Sequence, residues 1–469
     1  MPNVASSVVE LIQLLDDSAA LDDDRLTIMD EPRFREQATR HLAWTAAFSE
    51  DPSTVEAARW LVWEASQVLG ARSASIHNLY MARGRGEVQG FTVPAVNIRA
   101  QTFDMARVLF ETAARQDVGA VIAELARSEQ TYTYQRPTEY ATTVLAGALA
   151  AGWRGPVFLQ GDHYQFNAKK YAADPEAMTD EIRRAIQLAL DAGYRNIDID
   201  SSTLVDLSKP TLDEQQRENY RRAAELTALI RRLEGPDETI SVGGEIGEVG
   251  KKNSTVEELQ AYLDGYRREL SENESELVGL SKVSVQTGTS HGGVPLPGGG
   301  VATVNLDFEV LRTLGEVARR YGLAGAVQHG ASTLPDELFH KFPEADTAEI
   351  HLATGFQNAL YDHPAFPADL TREIDSWLRE NAADEYKAGQ TDEQFLYTTR
   401  KKAIGPFKRE LWDLPTKDEI LAEQARKFSF LFAELGVEGS RAMVERHVHP
   451  VESHRPMPEA LRVSAAAAR

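Results

Sequence analysis

Val157-Phe-Leu-Gln-Gly-Asp-His163 is a short apolar run that closes on an acid and an imidazole. Such a run reads as a buried strand, and its polar end marks the strand's C-terminal edge. The same layout recurs on both sides of it. Further apolar runs fall at 91–93, 120–123, 196–200, 239–242, 280–283, 325–328 and 348–352. Amphipathic stretches over 104–116, 180–192, 215–233 and 307–321 predict helices between them. Eight strands with seven visible crossovers are expected of a (β/α)8 TIM barrel, which takes about 250 residues or more. An open doubly wound sheet is the competing architecture. The polar strand ends favour the barrel. Asp162-His163 follows strand three, Asp200-Ser-Ser202 strand four and Glu245 strand five; His291 follows strand six, His329 strand seven, and His351 to Thr354 closes strand eight. In a parallel barrel the C-terminal strand ends share one mouth, so a single site can collect all of them.

Working outward, residues 1–72 read as a helical extension: Val8, Leu11, Ile12 and Leu15 recur at helical spacing, as do Ala57, Leu61, Val62 and Ala65, and glycine is absent before Gly70. The barrel occupies 73–365. Residues 366–469 are charged and helical, form the expected oligomer contact, and end in an alanine-rich tail. His447, His449 and His454 fall in that tail, which reads as disordered. The 469 residues carry 50 Lys+Arg against 72 Asp+Glu, a formal charge of −22. This excess repels nucleic-acid backbones and anionic membranes, so neither is expected as a partner. Absence of cysteine excludes disulfides, thiolate metal sites and cysteine nucleophiles. Nothing in the first residues resembles a signal peptide, and a cytoplasmic protein is expected.

Of the 11 histidines, His163, His291 and His329 stand apart, since each lies at a strand end beside small or acidic residues. Three imidazoles converging with an open position suit a catalytic zinc-type site held by nitrogen and oxygen alone. The alternative is that they cap strand carbonyls in loop turns. Neighbours on an extended backbone diverge, so Asp162 and His163 are not expected to bind one ion. Asp162 then faces substrate as a general base, or orients another ligand. Glycine-rich pieces at 288–293, 295–300 and 329–332 offer backbone N–H groups to an anion.

Taken in order, these motifs resemble the class II, metal-dependent aldolases of the fructose- and tagatose-bisphosphate type. The motifs are Phe91-Thr-Val-Pro-Ala-Val-Asn97, Gly161-Asp-His163, Asp200-Ser-Ser202, Glu245-Ile-Gly247, Gly288-Thr-Ser-His-Gly292 and His329-Gly-Ala-Ser332. The resemblance implies Zn2+ or another divalent cation on His163, His291 and His329, with Glu245 in reach of it. It implies an enediolate stabilised by the ion and Asp162 as the proton relay. Asn97 would contact substrate, and Gly292, Gly330, Ser332 and Thr354 would bind a phosphate of the ketose. Tyr397-Thr-Thr-Arg400 is similar to the segment whose arginine reaches a phosphate in a neighbouring subunit, which implies a homodimer or larger homo-oligomer.

Three departures accompany the resemblance. Pro295 stands where the family has a phosphate-holding lysine. His351-Leu-Ala-Thr354 replaces Asn-x-Asp-Thr, which puts His351 where an asparagine touches the enediolate. Gly250-Lys-Lys-Asn253 replaces the mobile loop's glycines and acid, leaving Glu248 to stand in as the catalytic glutamate. These changes point to a ketose or aldehyde with another acidic group, which Lys169, Lys251 or Lys252 could meet. The expected function is a carbon–carbon lyase acting on a ketose, or ketose phosphate, and an aldehyde. The alternatives are an accessory, non-catalytic aldolase-like subunit, with which Glu124–Glu129 and Thr131–Tyr134 share some likeness, and a barrel metallohydrolase.

Overall fold

The computed structural model describes residues 3–22, 24–247, 252–273, 276–288 and 306–468. Eight parallel strands form its centre: β1 (Val93–Asn97), β2 (Ile122–Ala126), β3 (Gly155–Gln165), β4 (Asn196–Asp200), β5 (Ser241–Glu245), β6 (Lys282–Ser284), β7 (Ala326–Gln328) and β8 (Glu349–Leu352). Each pairs with its sequence neighbours, and β8 pairs back onto β1 with His351 beside Ala95. The sheet therefore closes as a (β/α)8 barrel, and the open-sheet alternative is excluded. The strand Ala71–Ser73 adds to the outer end of β3. All eight strands lie where the apolar runs predicted them. Several, such as β1 and β5, extend further toward their polar ends than the runs do.

One irregularity decides the shape of the mouth. The pairing of β3 with β4 shifts register between Gly161 and Tyr164. Within this bulge His163 takes φ 43, a left-handed backbone rarely adopted by a residue with a side chain. Gly161 is required beside it, because a Cβ there would lie 2.4 Å from the Tyr164 ring. Bulges redirect side chains, and strained backbone collects at functional sites. The backbone at Asp162 and His163 is thus not extended, and their side chains converge: Asp162 Oδ1 lies 3.7 Å from His163 Nε2. The expectation that the two diverge is overturned.

The N-terminal segment is not wholly helical. Ala19–Asp22 and Arg25–Ile28 pair as an antiparallel hairpin. No glycine is needed in its turn, since Asp24 takes φ 63, a conformation that aspartate tolerates. The helix Pro52–Leu69 begins where Asp51 accepts from the Thr54 N–H and ends at Gly70 with φ 77. Trp44 packs edge-on against Phe103 of a barrel helix at 5.4 Å and against Trp412 at 4.6 Å, so both extensions meet on the barrel wall. A second apolar cluster, including Phe366, Ile374, Leu378, Phe395 and Leu411, lies within the C-terminal segment.

The tail is ordered. Trp60 and Trp63 donate their indole N–H groups to the carbonyls of Arg455 (2.9 Å) and Ser453 (2.7 Å). His454 sits between Glu64 (2.6 Å) and Glu452 (2.9 Å), and the alanine-rich end is a helix, Glu459–Ala468. The reading of this tail as disordered is corrected by those contacts. No helix among the described residues is long and apolar enough to cross a membrane.

Candidate active site and metal centre

The C-terminal strand ends enclose a cavity of about 330 Å³ whose lining includes Asn97, Asp162, His163, His329, Gly330, Ser332, His351 and Thr354. At its floor Asp162 Oδ1 faces three imidazoles: His351 Nδ1 at 3.4 Å, His329 Nε2 at 3.5 Å and His163 Nε2 at 3.7 Å. The rings stand in a row, His163 to His329 at 4.3 Å and His329 to His351 at 4.1 Å between centroids. Donor atoms of Asp162, His163 and His329 all lie within 4.8 Å of one another. Across the His163 ring, Nδ1 faces Asp200 at 3.0 Å and Glu245 at 3.5 Å. Asp200 is fixed in turn by the Ser202 hydroxyl (2.6 Å) and the Gln165 amide (2.5 Å).

Beneath this ring lies a second charged layer. Lys282 donates to Glu349 (2.5 Å), Gln160 (2.8 Å) and Asp198 (3.0 Å), with Tyr80 donating to Glu349 from the other side. His351 joins the layers: its Nδ1 lies 3.0 Å from Glu124 and its Nε2 lies 2.8 Å from Glu349.

Burial opposes charge throughout, and the neighbours decide which groups keep theirs. Against burial, the hydrogen bond and charge of His163 hold Asp200 down to about 2. Burial and the nearby Asp200 carboxylate push Glu245 up to about 8. Burial likewise lifts Glu124 to about 7, although His351 opposes the rise. Burial would discharge His163 and His351, yet Asp162 and the flanking carboxylates raise both well above an ordinary histidine. His329 goes the other way, held neutral by burial and by the charges of His351 and His163. This pattern of strongly displaced titrations in a cleft is characteristic of functional sites.

The model of the family described as fructose-bisphosphate aldolase class-II matches residues 84–405, more than two thirds of the chain and nearly the whole barrel. The chain belongs to the class II fructose-bisphosphate aldolase family. Solved structures are similar to it at low identity. A Sinorhizobium meliloti protein named as a probable tagatose 6 phosphate kinase is 17% identical with a TM-score of 0.50, covering 80% of this chain and 97% of its own. Fructose-bisphosphate aldolase from Campylobacter jejuni is 17% identical with a TM-score of 0.46, covering 80% and 99%. The YdjI aldolase of Escherichia coli K12 is 14% identical with a TM-score of 0.44, covering 78% and 99%.

In this member of the family, Asp162, His163, His329 and His351 come together at the cavity floor. Asn97, Gly330, Ser332 and Thr354 line the walls. Asn97 donates to Glu129 at 2.6 Å, and the Ser332 hydroxyl accepts from the Gly355 N–H at 3.1 Å. Glu245 groups with His163 and Asp200 on the Nδ1 edge rather than with Asp162 and His329. Arg400 does not line the cavity; it is paired with Asp362 (2.5 Å) and Asn358 (2.6 Å). Glu248, His291 and Gly292, with Lys251 and Pro295, lie outside the described residues. Lys169 and Lys252 are described and are not among the cavity-lining residues. The sequence reading missed Asp198, Lys282, Glu349, Arg99 and Lys401. A signal for Asp198 and Glu349 was present, ahead of Asp200 and His351. Charged residues inside otherwise apolar strands, two positions before a mouth residue, point to the same interior face.

Proposed function

We propose that this chain is a divalent-metal-dependent aldehyde-lyase, cleaving or forming the carbon–carbon bond of a ketose through an enediolate. The observation that carries this reading is the convergence of Asp162, His163 and His329 donor atoms within 4.8 Å, in a barrel of the class II aldolase family. The donor set fits zinc or a similar borderline ion: imidazole nitrogens beside carboxylates, with no thiolate in the chain. His163 and His329 would hold it, with His291 the third ligand expected from the sequence. Such an ion supplies Lewis-acid polarisation of a ketone oxygen.

The remaining roles fall to side chains. With a metal in place of its Nε2 proton, His163 would keep the Nδ1 proton donated to Asp200 at 3.0 Å and turn its Nε2 lone pair toward the cavity. Glu245 adds a second carboxylate on that edge. Asp162, held ionised, takes the proton from the hydroxyl on the carbon whose bond breaks and returns it in the synthetic direction. Asn97 and His351 orient the ketose. Gly330, Ser332 and Thr354 offer two hydroxyls and backbone lining for a phosphate, and Glu248 serves as the loop acid. We further assign the enzyme to the cytoplasm as a homo-oligomer, with the helical segment 366–469 as its contact and 1–72 as a separate extension.

Metal analysis tests this directly. About one zinc or similar ion per chain is expected, with loss of that ion in His163→Ala; unchanged metal content in the variant overturns the ligand assignment. Incubation in deuterated water with a panel of phosphorylated and free ketoses should show exchange of the proton alpha to the ketone. No exchange with any ketose removes the lyase reading. Light scattering that returns a monomer removes the oligomer.

A further inference from the structure

Two cations at the cavity wall are not used by the chemistry above. Arg99 lies just beyond the end of β1, and its guanidinium is braced on two sides. Nε and Nη2 donate to Glu129 Oε1 at 2.8 and 2.6 Å, and Nη1 donates to Gln357 at 3.0 Å. Glu129 is itself saturated, accepting also from the Asn97 amide (2.6 Å), the Ala126 N–H (3.0 Å) and the Tyr132 hydroxyl (3.1 Å). Arg99 is therefore fixed in place before any ligand arrives, at 12% side-chain exposure, in the form that binds planar or tetrahedral anions best.

Lys401 approaches from the C-terminal segment, in the turn Arg400–Ala403. Its Nζ lies 5.8 Å from the centroid of the Tyr132 ring, whose hydroxyl holds Glu129. The three successive cations of this turn have different fates. Arg400 is neutralised by Asp362 and Lys402 by Glu385, whereas among the described residues no carboxylate lies within salt-bridge distance of Lys401. Lys401 is also the one of the three that lines the cavity, where Arg99 and Ser128 join it. Burial and the Arg99 charge hold it below an ordinary lysine, as expected of two cations facing one space. A chain of net charge −22 repels anions at a distance, so an anionic substrate needs such a local receptor.

We propose that Arg99 and Lys401 form an anion subsite, both cations supplied by this same chain, which receives an acidic group of the substrate, a carboxylate or a phosphate. The inference rests on the lyase reading only in calling that anion part of a substrate.

The test is calorimetric titration of the full-length, metal-loaded protein with inorganic phosphate and, separately, with succinate. Lys401→Met should weaken binding of the preferred anion at least tenfold. Lys402→Met removes the same charge one position away, outside the cavity, and should leave binding within twofold. Arg99→Gln should weaken it similarly to Lys401→Met, with thermal melting to verify that each variant is folded. Preference for phosphate or for succinate identifies the acidic group. Binding of neither anion by the wild-type protein, an unaltered affinity in Lys401→Met, or equal losses in both lysine variants overturns the subsite. Lys401-dependent anion binding without ketose proton exchange would leave the subsite standing and remove the lyase reading.

Discussion

The mouth of the barrel and the layer beneath it use the same residue types to opposite effect. At the mouth, Asp162 meets three histidines at 3.4–3.7 Å, too long for strong hydrogen bonds and with room among the donors. One layer down, Lys282 fills the corresponding space and bonds Glu349, Gln160 and Asp198 at 2.5–3.0 Å. A lysine closes the lower cluster, whereas among the described residues no lysine enters the upper one. His351 belongs to both. The difference teaches that an acidic and imidazole-rich barrel interior is not by itself a metal site; what matters is whether a protein cation already occupies its centre.

This contrast can be broken from either side. The largest effect is expected at the mouth. Asp162→Ala should retain metal and lower kcat by about 10³–10⁴-fold, as loss of a general acid–base group of this kind does at its upper range; steady-state kinetics with parallel metal analysis checks it. Normal activity would return the proton relay to another residue. In the lower layer, Lys282→Met strands Asp198 and Glu349 without their cation and should destabilise the fold by roughly 3–5 kcal/mol in chemical denaturation. The triple change Lys282→Met, Asp198→Asn, Glu349→Gln should recover most of that loss, because no charge is then left buried and unpaired. Equal destabilisation in single and triple variants would mean that the lower layer acts through packing rather than charge.

Gly161→Ala sharpens the comparison through the backbone. Its Cβ would meet the Tyr164 ring at 2.4 Å, so overpacking should cost about 1–3 kcal/mol. It should also reduce metal content by disturbing the bulge, an effect absent in Lys282→Met. The smallest effect lies far from both layers. Hydrogen bonds donated to the Glu64 and Glu452 carboxylates raise the pKa of His454. A raised histidine contributes stability in full below its unfolded value near 6.5, and loses it as pH rises through the folded value. His454 is largely exposed, so solvent screening limits the contribution to about 0.5 kcal/mol or less. Thermal melts of His454→Ala and wild type should therefore differ at pH 5.5 and converge by pH 9.

Much of this was legible in the chain. The eight apolar runs and their polar ends predicted the barrel, because a strand buried on both faces is mostly apolar and its C-terminal end opens on the mouth. The alternation in Asn196-Ile-Asp-Ile-Asp200 held both layers in plain view: Asp200 reaches the mouth, and Asp198, two residues earlier on the same face, enters the lower cluster. What the sequence could not show was how the lower charges are matched, since Lys282, Asp198 and Glu349 come from three strands far apart in the chain. The hairpin at 19–28 was hidden for another reason. Its turn uses Asp24 at φ 63 in place of glycine. The tail was misread because its order comes from Trp60 and Trp63, almost 400 positions earlier.

By itself, then, the sequence determined the strand count, favoured closure into a parallel barrel, and limited any metal site to nitrogen and oxygen donors. These follow from local periodicity and from which residue types are present. Tertiary structure alone decided that Asp162 and His163 converge, because a bulge and a left-handed residue reverse the divergence an extended strand imposes. It also decided that Arg400 is spent on Asp362 while Lys401 turns to the cavity. Neighbouring side chains in one turn point in different directions, and only the surrounding fold determines which of them meets a partner.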